Sequence, residues 1–232
     1  MTRKPVADAE QVLDTALALA ADRHWEEVRL YEVAARLETD LGRIRACVAD
    51  KEALVDVLWD RADAAMLADA GTGADGFLEL DFAGRFEYCL MAWLVPLRPY
   101  RRTVAEMLQV RMEPGHFHIQ VPTLIRVSRT VQWMRELCRR DATFLRRAAE
   151  ETALTTVFVS TVATWLGDHS PEERVTREAL ARRFARATSL GRLWPDARVA
   201  DPDPRDQPTR DRRYPESRPH ENRTHDDRTR NH

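Results

Sequence analysis

Few residues in this chain sit at spacings that can do chemistry. His116 and His118, with Glu113 just before them, form an H-x-H in the segment EPGHFHIQVP. Two imidazoles at that spacing can ligate a metal when a strand or loop presents both on one side. No further Cys or His is placed to complete a set, so a loop between helices is the plainer reading. Cys47, Cys89 and Cys138 are odd in number, widely spaced and without a CxxC pair. They read as small core residues in a reducing compartment. There is no P-loop, GxSxG or HExxH, so the chain is expected to be neither an enzyme nor a carrier of a cofactor or metal.

Two other groups remain. Arg43, Arg45 and Lys51 are cations within nine residues of one another, suited to phosphate contacts. Trp59, Met91, Trp93, Met107, Met112, Trp133, Phe158 and Trp165 are large aromatics and flexible thioethers on apolar helical faces. Such residues line an adaptable apolar cavity; they equally fill an ordinary core, and the sequence leaves both open.

The elements that must position these residues are helical. Gly is scarce, strand alternation is absent, and apolar residues recur at three and four. Val12, Ala16, Leu19 and Ala20 mark a first helix, and Leu30, Val33, Ala34 and Leu37 a short second one. Asp40 can cap a third through Cys47, and Asp50 opens a long fourth, broken by GTGADGF at 71–77. Helical patterns then cover about 81–95, 98–112, 121–139, 142–166 and 171–193, punctuated by prolines. Ser170, Pro171 and Glu173 read as an N-cap, a first-turn proline and the partner of a capping box.

Hydrophobic content of 44% with a net charge of −2 is that of a globular chain. No apolar run approaches the roughly 18 to 20 residues that a membrane span needs, and MTRKPVADAEQ lacks a signal-type apolar stretch. The expected location is cytoplasmic, with peripheral contact to the inner membrane left open through basic pairs such as Arg101-Arg102 and Arg182-Arg183. Charge is uneven along the chain. Residues 1–70 hold nine Lys and Arg against fifteen Asp and Glu, whereas residues 81–194 hold eighteen Arg against twelve acids. From 195 to 232 apolar side chains nearly vanish among Arg, Asp, Glu and Pro, which predicts a disordered tail.

Within residues 1–70, VLDTALALAADRHWEEVRLYEVAARL followed by DLGRIRACVADKEALV resembles the TetR family. Gly42 and Lys51-Glu52-Ala53-Leu54 keep that family's pattern. Asp40 stands at its turn Ser, Arg45 at its phosphate-contacting Tyr and Val48 at its packing Phe, and Glu38, Asp40 and Asp50 oppose a phosphate backbone. Residues 120–186 resemble the C-terminal domain of the lipid-binding accessory proteins of ubiquinone biosynthesis. The carrying residues are Trp165-Leu166-x-Asp168-x-Ser170, then Thr176, Leu180 and Arg182-Arg183, with Trp133 upstream. The amphipathic C-terminal helix of that family has no counterpart here.

The resemblances imply an all-α, TetR-like bundle of about nine helices with an N-terminal helix-turn-helix-like subdomain. Residues 1–70 would be a degenerate reading head, 71–194 a ligand-binding and dimerisation body, and 195–232 the tail. The leading expectation is a non-enzymatic accessory protein that holds an isoprenoid quinone intermediate and presents it to a partner hydroxylase through Trp133. The alternative is a ligand-responsive transcriptional regulator that meets DNA through Arg43, Arg45 and Lys51. Both imply a homodimer through the two C-terminal helices, with Leu154, Val157, Phe158, Val162, Leu180 and Phe184 on the shared face.

Overall fold

Asp8 opens the first helix, its carboxylate accepting from the backbone N–H of Gln11 at 2.8 Å. In a computed structural model of the protein, which describes residues 8–71, 76–112, 117–141 and 144–189, this α1 (Ala9–Ala20) leads into α2 (Leu30–Arg36) and α3 (Leu41–Cys47). The long α4 (Ala53–Gly71) is followed by α5 (Phe82–Leu94), α6 (Arg101–Met112), α7 (Phe117–Leu137), α8 (Phe144–Leu166) and α9 (Arg174–Ser189). All regular elements among the described residues are helical. The all-α, TetR-like expectation is met. The tail from 195 to 232 lies outside the described residues, as does the Glu113–His116 part of the H-x-H segment.

The head is small, and caps do much to define it. Asp40 accepts from Arg43 N at 2.9 Å and starts α3; Asp50 accepts from Ala53 N at 2.8 Å and starts α4. Each such cap contributes about 1 kcal/mol. Gly42 follows from this geometry, because a Cβ there would meet the Asp40 carboxylate at 3.0 Å. Ile44 and Val48 then bury with Val33 and Ala34 against α1 and α4. α4 serves both parts of the chain, packing on α1 at one side and on α5 and α7 at the other.

In the body, Trp93 meets Trp59 edge-on at 6.0 Å and Phe158 at 5.0 Å. A polar node stands beside them. Asp63 accepts from Trp93 Nε1 (2.8 Å), Thr130 Oγ1 (2.9 Å) and the buried Arg126 (2.8 Å), which also reaches Asp60 at 2.7 Å. Every partner is satisfied there, so the node ties α4, α5 and α7 without leaving a charge unpaired.

Two sequence expectations change in detail. α7 starts at Phe117 rather than near 121, so Pro122 lies inside it. The joint between α8 and α9 is organised by Asp168 rather than by a Ser170–Glu173 capping box. Asp168 accepts from Ser170 N (2.8 Å) and Oγ (2.6 Å) and from Thr176 N (2.7 Å) and Oγ1 (2.6 Å). Glu173 instead turns inward to Arg98 at 2.6 Å and Arg101 at 3.2 Å. Burial pushes the Asp168 carboxyl up, but the hydrogen bonds from Ser170 and Thr176 outweigh it and hold it well below the usual carboxylate range.

The sign of the pH effect follows. A depressed native pKa gives stability that is present above the unfolded value of about 3.9 and lost as pH falls below it. Asp168→Asn is expected to lower the melting temperature by several degrees at pH 7, with the gap to wild type narrowing towards pH 3. Paired thermal melts across pH 3–7 check this; a gap independent of pH would show that the charge is not what matters.

Candidate functional site

The outer surface of the head is formed by α3 and the start of α2. Leu41 is 52% exposed and Tyr31 62% exposed, and Arg43 and Arg45 project from α3 with exposed side chains. Neither guanidinium is drawn into an ion pair among the described residues, so both are free to meet an outside acceptor. The acids expected to oppose a phosphate have other work. Asp40 and Asp50 cap the two helices, where the N–H groups at the helix ends offset their charge.

Lys51 differs from the two arginines. Its ammonium donates to the Trp25 carbonyl and, at 3.1 Å, to the Glu26 carbonyl, and it lies 4.9 Å from the centre of the Trp25 ring. Burial pulls its pKa down. It staples α4 to the turn between α1 and α2, and the candidate phosphate contacts reduce to Arg43 and Arg45.

Behind the head lies α6, which has two working faces. Arg102 and Glu106, one turn apart, point to the head. Arg102 donates to the carbonyls of Ala20 (2.6 Å), Ala21 (3.0 Å) and Arg23 (3.2 Å), which α1 leaves without intrahelical partners. Glu106 accepts from Trp25 N at 2.7 Å and pairs with the His24 ring at 3.0 Å. Val104, Leu108 and Arg111 lie on the opposite stripe. From there Arg111, 4% exposed, donates to the Glu52 carbonyl (2.8 Å) and Thr123 Oγ1 (3.1 Å) and lies 3.4 Å from Asp56. One helix thus holds the end of α1, the turn after it and the start of α4.

That second stripe borders a cavity of about 500 Å³. Trp59 of α4, Trp93 of α5, Leu108 of α6, Leu124 and Val127 of α7, and Phe158, Val162 and Leu166 of α8 line it. Among the described residues that line it, Gln109, Arg111 and Thr123 bring polar side chains. The volume fits a small organic molecule.

Of the eight residues picked out from sequence, Trp59, Trp93 and Phe158 line this space. Met91, Met107 and Trp165 do not: they are packed in the core at 5%, 1% and 0% exposure, Trp165 beneath the Arg101 guanidinium at 4.5 Å. The Met112 side chain lies outside the described residues. Trp133 is 51% exposed on the outer face of α7. The aliphatic lining residues were missed because a Val or Leu facing a void has the same periodicity as one facing a neighbour.

The expected dimer face also needs correction. Leu154, Val157, Phe158, Val162, Leu180 and Phe184 are all buried within the protomer. Large apolar side chains left exposed include Leu124 (61%), Ile125 (51%) and Trp133 (51%) on α7, Val159 (47%) on α8 and Val175 (41%) on α9. The outer face of α9 carries Arg174, Glu178 and Arg182 paired at i,i+4. Arg101 and Arg102, one of the basic pairs through which membrane contact was left open, are held by internal acceptors. Among the described residues no helix is long and apolar enough to cross a membrane.

A capped three-helix head with exposed arginines, clasped to a helical body around an apolar cavity, is the architecture of a helix-turn-helix protein. Comparison with known proteins agrees. A solved structure, the TetR transcriptional regulator from Nitrosomonas europaea ATCC 19718, is 40% identical, with a TM-score of 0.67 over 78% of this chain and 98% of that one. The chain belongs to the TetR family. Neither a family model nor a curated protein matches it.

The Lys51 staple yields a prediction separable from DNA binding. Lys51→Met removes a charged donor shared by two carbonyls, of which that of Trp25 keeps the Val28 N–H and that of Glu26 is left to water, at a cost of about 1–2 kcal/mol. Thermal melting is expected to show a loss of about 2–4 °C per kcal/mol. An unchanged melting temperature would mean that the ammonium is not structural.

Proposed function

We propose that this protein is a transcriptional regulator that binds DNA as a homodimer and releases or tightens its grip when an apolar small molecule enters the cavity. The observation that carries this reading is the double role of α6. The helix that borders the cavity through Val104, Leu108 and Arg111 also clasps the head through Arg102, Glu106 and Arg111. A ligand that displaces α6 must disturb the position of α1 and α4, which carry α2 and α3 between them. Arg43 and Arg45 make the phosphate or base contacts. The subunits meet through the exposed α7–α8 face around Val159 and Ile125.

The order of the two starting readings is therefore reversed. The cavity suits an apolar ligand in either case. The free arginines on α3 favour DNA, and the kinship to a TetR regulator adds weight. Nothing in the geometry or the comparisons favours a ubiquinone-biosynthesis role, a hydroxylase partner or peripheral membrane contact.

Selection from random duplexes, followed by binding over a salt series, tests the DNA reading. Wild type is expected to enrich an inverted repeat, with affinity falling steeply as salt rises. Arg43→Ala with Arg45→Ala is expected to weaken binding and to flatten the log–log salt slope by about 1 for each phosphate no longer neutralised. Failure to enrich any sequence, or a double variant with unchanged affinity and slope, would overturn it. Ile125→Arg, away from the cavity lining, places a charge in the proposed subunit interface and is expected to yield monomers by light scattering; a persistent dimer would locate the interface elsewhere.

A further inference from the structure

Far from the cavity lining, the joint of α5, the end of α7 and the start of α8 buries more positive charge than it neutralises. Arg85, Arg135 and Arg140 are 3%, 2% and 9% exposed. One carboxylate answers them among the described residues. Glu150, fully buried, pairs with Arg140 at 2.8 and 2.9 Å and with Arg135 at 3.3 Å. Arg85 is left out. Its Nε and Nη1 are sealed from solvent without a hydrogen-bond partner, and so is Nη1 of Arg140. The Arg140 guanidinium lies 4.4 Å from the centre of the Phe82 ring, one turn before Arg85 on α5, and the charges of both arginines bear on the Cys138 thiol. That thiol's hydrogen bond to Cys89, with burial, raises its pKa well above the usual value against their pull, so the thiol stays neutral and gives them no counter-charge.

An uncompensated buried cation is costly, and in folded proteins it is paired or bound to a ligand. The acids nearest in sequence do not serve. Asp81 is exposed and uses its carboxylate to cap α5 at Gly84 N (2.8 Å), and Asp141 is exposed. Three cations against one anion leave two positive charges, and the free donors belong to two planar forks suited to multidentate oxyanions.

We propose that Arg85 and the free edge of Arg140 form a binding site for a phosphate-type dianion, distinct from the apolar cavity. The dianion closes the charge balance left by Glu150 and takes the orphaned donors. The site sits where α5 meets α7 and α8, so occupancy would stiffen the body without touching the DNA-facing arginines. It does not depend on the DNA reading.

The test is thermal melting of the full chain in chloride buffer, titrated with inorganic phosphate at constant ionic strength. Wild type is expected to show a saturable rise of about 5 °C or more at a hundredfold excess over the dissociation constant. Arg85→Met is expected to melt higher than wild type without phosphate, since it removes the unpaired charge, and to lose the saturable rise. Arg85→Lys, which keeps one donor, is expected to retain a weaker response and guards against a misfolded Met variant. Glycerol 3-phosphate supplies a second arm: a larger shift than with phosphate points to an organic phosphate ester, an equal or smaller one to the free ion. A rise that does not saturate, or one shared equally by wild type and Arg85→Met, would be a general salt effect and would overturn the site. So would the absence of any phosphate response in wild type.

Discussion

The head of this protein is placed by the clasp of α6. Three short helices bury little surface of their own, and a head of that size depends on what it is fastened to. Arg102 takes up the last carbonyls of α1, Glu106 holds the Trp25 amide, and Arg111 holds the Glu52 carbonyl. Each is a charged side chain bonded to a backbone group, a stronger contact than one between neutral partners. The clasp is directional, because it fixes carbonyls and amides rather than apolar patches.

The charge distribution makes sense around this clasp. The excess of acid in the first seventy residues reads as hostile to DNA, yet much of it is structural. Asp8, Asp40 and Asp50 cap helices; Glu10 and Asp14 hold Arg61; Asp56, Asp60 and Asp63 receive arginines from α6 and α7. Part of the basic excess of the body is spent inward in the same way: Arg102, Arg111 and Arg126 go to those acids and to carbonyls, whereas Arg85 does not. Net charge by segment therefore misreads this molecule, because the two segments neutralise one another across α4. Among the described residues of the head, the exposed arginines outside any ion pair include Arg43 and Arg45 on α3 as well as Arg29 and Arg36 at the two ends of α2.

The resemblance of residues 120–186 to lipid-binding proteins has a physical account as well. Asp168, Ser170 and Thr176 build the α8–α9 joint, Trp165 packs beneath Arg101, and Arg183 reaches Thr164 at 2.8 Å. These residues serve a helix-to-helix turn that any protein of this fold can use. The spacing marked the joint, and the joint says nothing about the cargo.

Local chemistry made the helices legible from the chain alone. The period of the apolar residues, the Asp caps at 40 and 50 and the break after Gly71 mark elements through contacts within a few residues. Arg43 and Arg45 were legible for the same reason, lying on a short helix with little to cover them. What each long side chain touches was decided only in three dimensions. Lys51 became a staple, Met107 and Trp165 became core, and aliphatic residues of three helices came to line a cavity. A cavity is a gap between elements distant in sequence, and periodicity records only which face turns inward, not whether another side chain meets it there.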